Sequence, residues 1–260
     1  MATGKLKIGI YGLTSCAGCQ LEIINCEMEL VDIFMAADIE SFVMAKSDNH
    51  EGKLDVAIVE GSVSTEKDRT DLLDIRERSG VLVAVGLCAV AGGVQGALRD
   101  AKAWQKQIDK VYGTMDWNHT TPCPSRPLSE FVKVDFNLPG CPIDKEQFLP
   151  TLSRVVGLNP PELPNTPVCM ECKWKENDCL LNAGKPCLGP VTASGCGAVC
   201  PSHNLACVGC WGPATEPNRD AVYTLLRQKG FSAEFIIQRM ATFSGSKIDE
   251  FAAKLKEVQK

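Results

Sequence analysis

Short aliphatic runs alternate with longer amphipathic stretches along the first 157 residues of the chain. Five runs are typical of buried strands: KLKIGIYGL, SFVMA, LDVAIVEGSV, VLVAVGL and FVKVDFNL. The stretches between and after these runs have apolar residues at helical spacing, which predicts four helices. These lie over about Cys19 to Ala37, in STEKDRTDLLDIRERSG, around Trp104 to Tyr112, and in DKEQFLPTLSRVVG. In STEKDRTDLLDIRERSG, we expect Ser64 or Thr65 to cap the helix and Gly80 to end it. This alternation predicts an α/β fold, a doubly wound parallel sheet with helices on both faces.

The pattern changes at the proline-rich stretch GLNPPELPNTP, which has no apolar periodicity. We therefore predict a linker over 158–167 between a first domain, 1–157, and a second domain, 168–260. The second domain begins with eight cysteines between Cys169 and Cys210, among glycines and prolines that leave little room for regular structure. Three amphipathic segments follow and predict C-terminal helices: NRDAVYTLLRQKG, SAEFIIQRMATF and KIDEFAAKLKEV.

Charge and hydropathy exclude two classes of partner. The net charge of -5 gives no basic surface for nucleic acid or for an anionic membrane. The stretch from Ser79 to Leu98 carries no charge and has about the length of a spanning helix. Its glycines divide it into a β-branched run and a loop, so we predict a buried strand and no membrane insertion. The N-terminus shows no export signal, which predicts a cytoplasmic protein.

Fourteen cysteines are the strongest chemical signal in the chain. Thiols do not stay paired as disulfides in a reducing compartment, so metal binding is the better explanation for them. Four of these cysteines follow strand ends in the first domain: Cys16 and Cys19 after the first strand, Cys88 after VLVAVGL, and Cys141 after FVKVDFNL. Ligands of open parallel sheets bind beyond the carboxyl ends of the strands, so these four thiolates are expected to converge. A thiolate quartet suits zinc or a 4Fe–4S cluster.

The eight later cysteines divide into two further quartets by spacing. The first quartet reads C-x2-C-x6-C-x7-C and comprises Cys169, Cys172, Cys179 and Cys187. The second reads C-x3-C-x6-C-x2-C and comprises Cys196, Cys200, Cys207 and Cys210. Two zinc ions could use all eight thiols, which would make this part of the chain a zinc-stabilised interaction module. Three quartets without an acid–base constellation or a nucleotide-binding fingerprint favour an electron relay through iron–sulfur clusters instead.

A few reactive residues fit no quartet. Cys26 and Cys123 are interpreted as non-ligands. His203 lies between Cys200 and Cys207, where it is either a substitute ligand or an ordinary loop residue. Glu22, three residues after Cys19, either lies near a cluster or belongs to a solvated helix face.

Five stretches together resemble the small subunit of NiFe hydrogenases: GLTSCAGCQLEI, AIVEGSVSTE, VAVGLCAVAGGVQG, LPGCPIDKEQFL and PCLGPVTASGCGAVCPSHNLACVGC. The likeness is to the cytoplasmic group 3 type found in sulfhydrogenases and other bidirectional NAD(P)-linked enzymes. It implies a flavodoxin-like domain that binds a proximal cluster, and a C-terminal domain that binds a medial and a distal cluster. It also implies two kinds of partner, a large subunit that carries the NiFe centre and a flavin or iron–sulfur subunit.

Carried over by motif, the resemblance assigns a cluster to each quartet. It makes Cys16, Cys19, Cys88 and Cys141 the proximal ligands, Cys196, Cys200, Cys207 and Cys210 the medial ligands, and Cys169, Cys172, Cys179 and Cys187 the distal ligands. Membrane-linked relatives have proline at one medial position and histidine at the first distal position. This chain has Cys200 and Cys169 there, which implies three 4Fe–4S clusters.

A related single-cluster subunit of NADH:quinone oxidoreductases is the nearest alternative. That family has adjacent cysteines where this chain has the separated Cys16 and Cys19, and it lacks the later quartets. The terminal electron acceptor depends on other subunits, so this sequence does not identify it.

Overall fold

The computed structural model describes residues 5–98, 100–113, 121–157, 159, 162–164, 166–243, 245–248 and 251. The chain forms two compact units, Met1–Glu162 and Leu163–Lys260. The boundary between these units lies inside the segment 158–167 that the proline pattern marks as a linker. The roles assigned to the two predicted domains stay predictions.

Within the described residues of the first unit there are seven strands: β1 (Leu6–Gly12), β2 (Ala37–Phe42), β3 (Leu54–Glu60), β4 (Val63–Thr65), β5 (Ser79–Val85), β6 (Pro122–Arg126) and β7 (Phe136–Leu138). Five form one sheet in the order β2-β1-β3-β5-β7, and every neighbouring pair is parallel. This order is the doubly wound flavodoxin-like order, so the predicted fold class is confirmed. The strand order reverses between β1 and β3, and their carboxyl ends define the usual binding edge.

The helices of the first unit are α1 (Gly18–Ile24), α2 (Glu27–Ala36), α3 (Glu66–Arg78), α4 (Gly86–Ala91), α5 (Ala101–Tyr112) and α6 (Lys145–Val156). Both faces of the central strands are covered, because consecutive residues of β3 from Val56 to Glu60 are all buried. On one face, Leu72 and Ile75 of α3 pack with aliphatic residues of β3 and β5. A buried parallel strand is expected to be apolar on both faces in this way.

The start of α3 follows the sequence prediction, whereas its end does not. Thr65 is the cap, and its side chain accepts a hydrogen bond from the Asp68 N–H at 3.0 Å. The helix ends at Arg78, and Gly80 already belongs to β5, so the prediction that Gly80 ends the helix is wrong. The Arg76 guanidinium explains the short connection, because it donates to the Ser79 carbonyl at 2.6 Å and to the Gly80 carbonyl at 3.0 Å.

Three other elements differ from the sequence pattern. The single helix predicted over about Cys19 to Ala37 is two helices, α1 and α2, because Glu27 adopts a positive φ of 45° at the break. The predicted strand SFVMA ends at Phe42, and Val43 is exposed beyond it. Only Phe136–Leu138 of the predicted strand FVKVDFNL joins the sheet, while β4 and β6 form an antiparallel ribbon that the sequence did not predict.

The second unit contains α7 (Val168–Trp174), α8 (Val199–Ser202), α9 (Arg219–Gln228) and α10 (Ala233–Ala241). Its core joins the cysteine-rich segment to the last helices, because Leu188 and Val191 pack with Leu226 of α9 and Ile236 of α10. Of the predicted third helix KIDEFAAKLKEV, most residues lie outside the described part of the chain, and Gly245–Ile248 forms a 3-10 turn. No helix in the described residues has the length and apolar character needed to cross a membrane.

Candidate metal centres

The four cysteines of the first quartet lie at the carboxyl edge of the sheet. Cys16 is in the loop after β1 and Cys19 is in the first turn of α1, while Cys88 is on α4 directly after β5 and Cys141 follows β7. The thiols interact electrostatically, Cys88 with Cys16, Cys19 and Cys141, and Cys141 also with Cys16. The strand ends therefore place these four thiols at the same edge of the sheet, and their membership in one metal site stays a prediction.

Burial raises the pKa of three of these thiols. It is the largest cause at Cys19, Cys88 and Cys141, and the negative charge of Glu60 and of neighbouring cysteines raises each pKa further. Loading a metal onto such a site requires the thiols to lose their protons. Cys19 is buried whereas Cys16 and Cys141 are exposed, so the site is closed on the side of the sheet and open on the other.

Glycines leave room beside the thiols. A Cβ atom on Gly86 would lie 2.4 Å from Cys19 Sγ, and one on Gly93 would lie 2.7 Å from Cys88 Sγ. Gly86 also has a φ of 81°, which side-chain-bearing residues rarely adopt. A side chain at either glycine would collide with a thiol, so the glycines allow the backbone to approach these sulfurs closely.

Glu60 is a buried acid at this edge that the sequence analysis did not single out. It is the last residue of β3 and is 3% exposed. Its carboxylate accepts hydrogen bonds from the Cys19 N–H at 3.0 Å, the Gln20 N–H at 3.3 Å and Gln20 Nε2 at 2.9 Å. Glu60 thereby fixes the start of α1 and the position of Cys19. The signal in the sequence was an acidic residue at the end of the otherwise apolar strand LDVAIVE.

A polar network fixes the loop that carries Cys88. Gln95 Nε2 donates to Ser62 Oγ at 3.2 Å. The Cys88 thiol donates to Gln95 Oε1 at 3.9 Å. Ser125 Oγ bonds to Ser62 Oγ at 2.7 Å and to the Gly92 carbonyl at 2.8 Å. The ribbon of β4 and β6 supplies this support, because Ser62 precedes β4 and Ser125 is on β6.

In the second unit, the quartet that begins at Cys169 is arranged around that residue. Cys169 and Cys172 are on α7, and Cys179 and Cys187 follow it. Burial raises the pKa of the Cys169 thiol to about 11, and the charges of Cys187, Cys172 and Cys179 add to this effect. A Cβ on Gly189 would lie 3.2 Å from Cys169 Sγ and 3.6 Å from Cys187 Sγ, so a glycine again leaves space between two sulfurs.

The last quartet is spread over α8 and the irregular segments on either side of it. Burial raises the pKa of the Cys207 thiol to about 12, while Thr192 and the Gly209 N–H lower it and the charges of Cys187 and Cys210 raise it. Cys196 faces a different group, because its Sγ lies 4.0 Å from Glu171 Oε2. Cys200 is on α8. The membership of Cys196 and Cys200 in a common quartet with Cys207 and Cys210 stays a prediction.

The two quartets of the second unit meet at Cys187 and Cys207. The Cys207 N–H donates to Cys187 Sγ at 3.3 Å, and the Leu188 N–H donates to the Cys207 carbonyl at 3.0 Å. The backbone N–H of Cys207, a predicted medial ligand, is therefore bonded directly to the sulfur of Cys187, a predicted distal ligand. The spacing of the cysteines along the chain does not predict this contact.

Over the described ranges, no group of three His, Cys, Asp or Glu side chains is close enough together to hold one metal ion. The donors of the three quartets are all thiols, the ligand type of iron–sulfur clusters and of structural zinc. Of the residues outside the quartets, Cys26 is buried with its thiol donating to the Glu22 carbonyl at 3.4 Å, and Cys123 is on β6. His203 follows α8 and is exposed.

Comparison with known proteins decides the family. Residues 16–155 match the model of the protein family described as "NADH ubiquinone oxidoreductase, 20 Kd subunit". This match includes all four cysteines of the sheet edge. The chain is 39% identical over 243 residues to Sulfhydrogenase 2 subunit delta of Pyrococcus furiosus, with 92% of this chain and 99% of the relative covered. The chain belongs to the hydrogenase small-subunit family.

Further matches agree with this membership. The chain is 29% identical over 176 residues to the NAD-reducing hydrogenase HoxS subunit delta of Cupriavidus necator, with 63% of this chain and 84% of the relative covered. The actinobacterial-type NiFe-hydrogenase from Ralstonia eutropha H16 matches in structure with a TM-score of 0.57 and 16% identity, covering 98% of this chain and 90% of that chain. At that identity the structural likeness concerns the fold.

The resemblance stated from the sequence motifs is thus confirmed. As a hydrogenase small subunit the chain is an electron-transfer subunit of an oxidoreductase, from a family that carries iron–sulfur clusters and pairs with a large NiFe subunit.

Proposed function

We propose that this small subunit holds three 4Fe–4S clusters and carries electrons between the NiFe centre of a large subunit and a second redox subunit. The observation that carries the proposal is the arrangement of the thiols. Twelve of the fourteen cysteines fall into three sets, and two of these sets touch at Cys187 and Cys207. Cluster sites in contact shorten the path of an electron between them, so this contact supports a relay.

Each set would hold one cluster. The sheet-edge set is proposed for the proximal cluster, the set that begins at Cys196 for the medial cluster, and the set that begins at Cys169 for the distal cluster. When bound, such clusters supply one-electron carriers whose potentials depend on burial, on nearby charge and on hydrogen bonds to sulfur.

The residues of the chain supply those controls. Cys19, Cys187 and Cys207 are buried, which excludes water from one side of each site. Backbone N–H groups also face sulfur, that of Ile143 toward Cys19 and that of Gly209 toward Cys207. Hydrogen bonds of this kind stabilise a ligand sulfur that carries negative charge.

The exposed side of the sheet-edge site is where the large subunit is proposed to bind. Cys16 and Cys141 are exposed, and Leu21 of α1 and Met44, beyond the carboxyl end of β2, are 48% and 42% exposed. An apolar surface around an incompletely covered metal site is typical of a protein interface. We propose that the large subunit covers this edge.

The outer partner is proposed to approach α7 in the second unit. Trp174, two residues after Cys172, is 77% exposed, and Cys179 is exposed as well. Exposed tryptophan is enriched where proteins bind each other. A flavin or iron–sulfur subunit that binds here would come close to the proposed distal site.

We also propose that the protein is cytoplasmic. Cys26 and Cys123, which belong to none of the three sets, are free, a state that a reducing compartment maintains. Fractionation of the source cells tests the proposal, and recovery of the protein in an exported fraction would contradict it.

Iron and sulfide analysis of the purified native complex tests the cluster number. Three clusters of four irons give twelve irons assigned to this subunit, and EPR of the reduced protein should show three interacting signals. About four irons would support a single-cluster subunit, and fewer than about eight would contradict the three-cluster proposal. Zinc without visible absorption would instead identify a zinc-stabilised module, because the d10 zinc ion is colourless.

A further inference from the structure

Arg239 of α10 is bonded to main-chain carbonyls in both cysteine sets of the second unit. Its Nε donates to the Pro186 carbonyl at 2.7 Å. Its Nη2 donates to the Cys207 carbonyl at 3.3 Å and lies 3.5 Å from the Ala206 carbonyl. Pro186 directly precedes Cys187, a predicted distal ligand, and Cys207 is a predicted medial ligand. The half-buried guanidinium of Arg239 therefore connects the two segments that carry these ligands.

The contacts of Arg239 surround the place where the two sets meet. The Cys207 carbonyl accepts from both Arg239 and the Leu188 N–H, and the Cys207 N–H donates to Cys187 Sγ. The N–H and the carbonyl of Cys207 are therefore both hydrogen-bonded to the segment 186–188. A guanidinium suits this task because its donors lie in one rigid plane, whereas an ammonium is a point charge on a flexible stem.

We propose that Arg239 is a positioning residue for electron transfer between the two outer clusters. It holds the Cys187 and Cys207 segments at a fixed separation, and its positive charge favours the more negative, reduced form of both neighbouring sites. This inference rests on the proposed function, because it requires clusters in both sets. Electron transfer falls steeply with distance, so a fixed separation keeps the rate high.

Arg227 offers a matched control in the same unit. It is on α9, and its Nη1 donates to the Phe231 carbonyl at 2.8 Å, a carbonyl outside the cysteine-rich segment. Arg227→Met removes the same charge as Arg239→Met and a hydrogen bond to a main-chain carbonyl, but that carbonyl belongs to Phe231 and not to the segments of Cys187 and Cys207. Arg239→Lys keeps the charge but loses the planar set of donors.

The first readout is an EPR redox titration of the holo complex. In Arg239→Met the midpoint potentials of the two outer clusters should become more negative while that of the proximal cluster stays unchanged. Arg239→Lys should restore the potentials but not the rate of H2-dependent dye reduction, and Arg227→Met should change neither. Unchanged outer potentials in Arg239→Met would overturn the charge effect.

The second readout is amide hydrogen exchange of the purified complex, which does not depend on the identity of the bound metal. The N–H groups of Cys207 and Leu188 should exchange about tenfold faster or more in Arg239→Met, since hydrogen bonds to a charged group are lost. Equal exchange in Arg239→Met and Arg227→Met would overturn the positioning role. If Arg239→Met does not fold, Arg239→Lys is measured alone, and unaltered exchange and unaltered dye reduction in it overturn the proposal. A wild-type complex with fewer than three clusters contradicts the proposed function instead, independently of either variant.

Discussion

The two units of this small subunit differ in how their predicted ligands relate to the hydrophobic core, and only Cys19 of the first quartet is buried. In the first unit the core between α3 and the sheet consists of aliphatic residues such as Leu72, Leu82 and Leu128. The predicted ligands Cys16 and Cys141 are exposed at the edge of this sheet. In the second unit, Cys187 and Cys207 are themselves members of the core, and Cys172 and Cys196 pack against it.

This difference separates two ways of building a metal site. The first unit has a paired five-stranded sheet and an apolar core that contains none of the predicted ligands on the side of α3, and the loops at the sheet edge present the thiols. In the second unit the predicted ligands Cys187 and Cys207 occupy core positions, and the regular elements there are short. We therefore expect the first unit to fold without its proposed cluster and the second unit to depend on its proposed clusters for stability.

The largest expected effect follows from leaving out iron. In the metal-free chain, amide protons of β1, β3 and β5 should stay protected from exchange, while α9 and α10 should exchange rapidly, because their packing partners are the cysteine-bearing segments. Hydrogen exchange measured by mass spectrometry, with the iron-loaded protein as control, checks this. Protected α9 and α10 in the metal-free chain would remove the proposed contrast.

The next effect concerns the space beside the sheet-edge thiols. Gly86→Ala places a Cβ 2.4 Å from Cys19 Sγ at a φ of 81°, so we expect loss of the proximal cluster and a stability cost well above 1 kcal/mol. Gly113→Ala has a similar φ of 67° with no atom within 4 Å of the new Cβ, and should cost about 1 kcal/mol. Iron content and denaturant unfolding measure both variants. Similar results for the two would show that backbone strain alone matters at Gly86.

A moderate effect is expected from the ion pair that supports β5. Asp135 accepts from Arg76 Nη1 at 2.7 Å and from the Leu82 N–H at 2.9 Å. Burial raises the pKa of Asp135, but the hydrogen bonds from Leu82, Arg76 and Lys133 outweigh it and lower the pKa below its ordinary value. Asp135→Asn should lower the free energy of unfolding of the first unit by about 1–3 kcal/mol and leave the outer clusters unchanged.

The pH dependence of this pair has a defined sign. Because the folded pKa of Asp135 is depressed, its contribution is present above the ordinary aspartate pKa of 3.8 and is lost as the pH falls through the lower folded value. Unfolding of the metal-free chain from pH 7 to pH 3 measures it, and the Asp135→Asn variant should lack this acid-dependent loss. Asp71→Asn, which breaks an exposed pair with Lys67, is the control and should cost about 0.5 kcal/mol or less.

The smallest expected effect concerns Thr192, which is 2% exposed in the second unit. Its Oγ1 donates to the Leu188 carbonyl at 2.7 Å and lies 3.7 Å from Cys207 Sγ. Thr192→Val should lower the stability of the iron-loaded second unit by about 1 kcal/mol, because the buried hydrogen bond is lost. Thr242→Val removes an exposed hydroxyl bonded to the Gln238 carbonyl and should be close to neutral in the same thermal unfolding experiment.

The sequence pattern predicted the parallel sheet and the place of Cys16, Cys88 and Cys141 at strand ends, because apolar runs and their final residues are local features. The break between α1 and α2 was missed, since Glu27 is neither glycine nor proline although it adopts a positive φ. The ribbon of β4 and β6 was missed because its pairing joins segments about sixty residues apart, Val63 with Arg126.

The contacts that fix the sites were also beyond the sequence. Glu60 ends an apolar strand and looked like an ordinary boundary residue, yet it bonds to the Cys19 and Gln20 N–H groups. The Cys187–Cys207 contact depends on how two irregular segments pack, and no spacing rule describes such packing. The sequence was enough to predict that the metal ligands are thiols, whereas the residues that contact those thiols became visible only in the folded structure.

The exposure of Cys16 and Cys141 beside the buried Cys19 has a consequence for how the complex is made. A folded sheet with an open-sided thiol site can accept a preformed cluster from a carrier protein after folding is complete. Docking of a second chain over that edge would then close the entrance. For the first unit we therefore expect maturation in a fixed order: folding, then delivery of the proposed cluster, then subunit assembly.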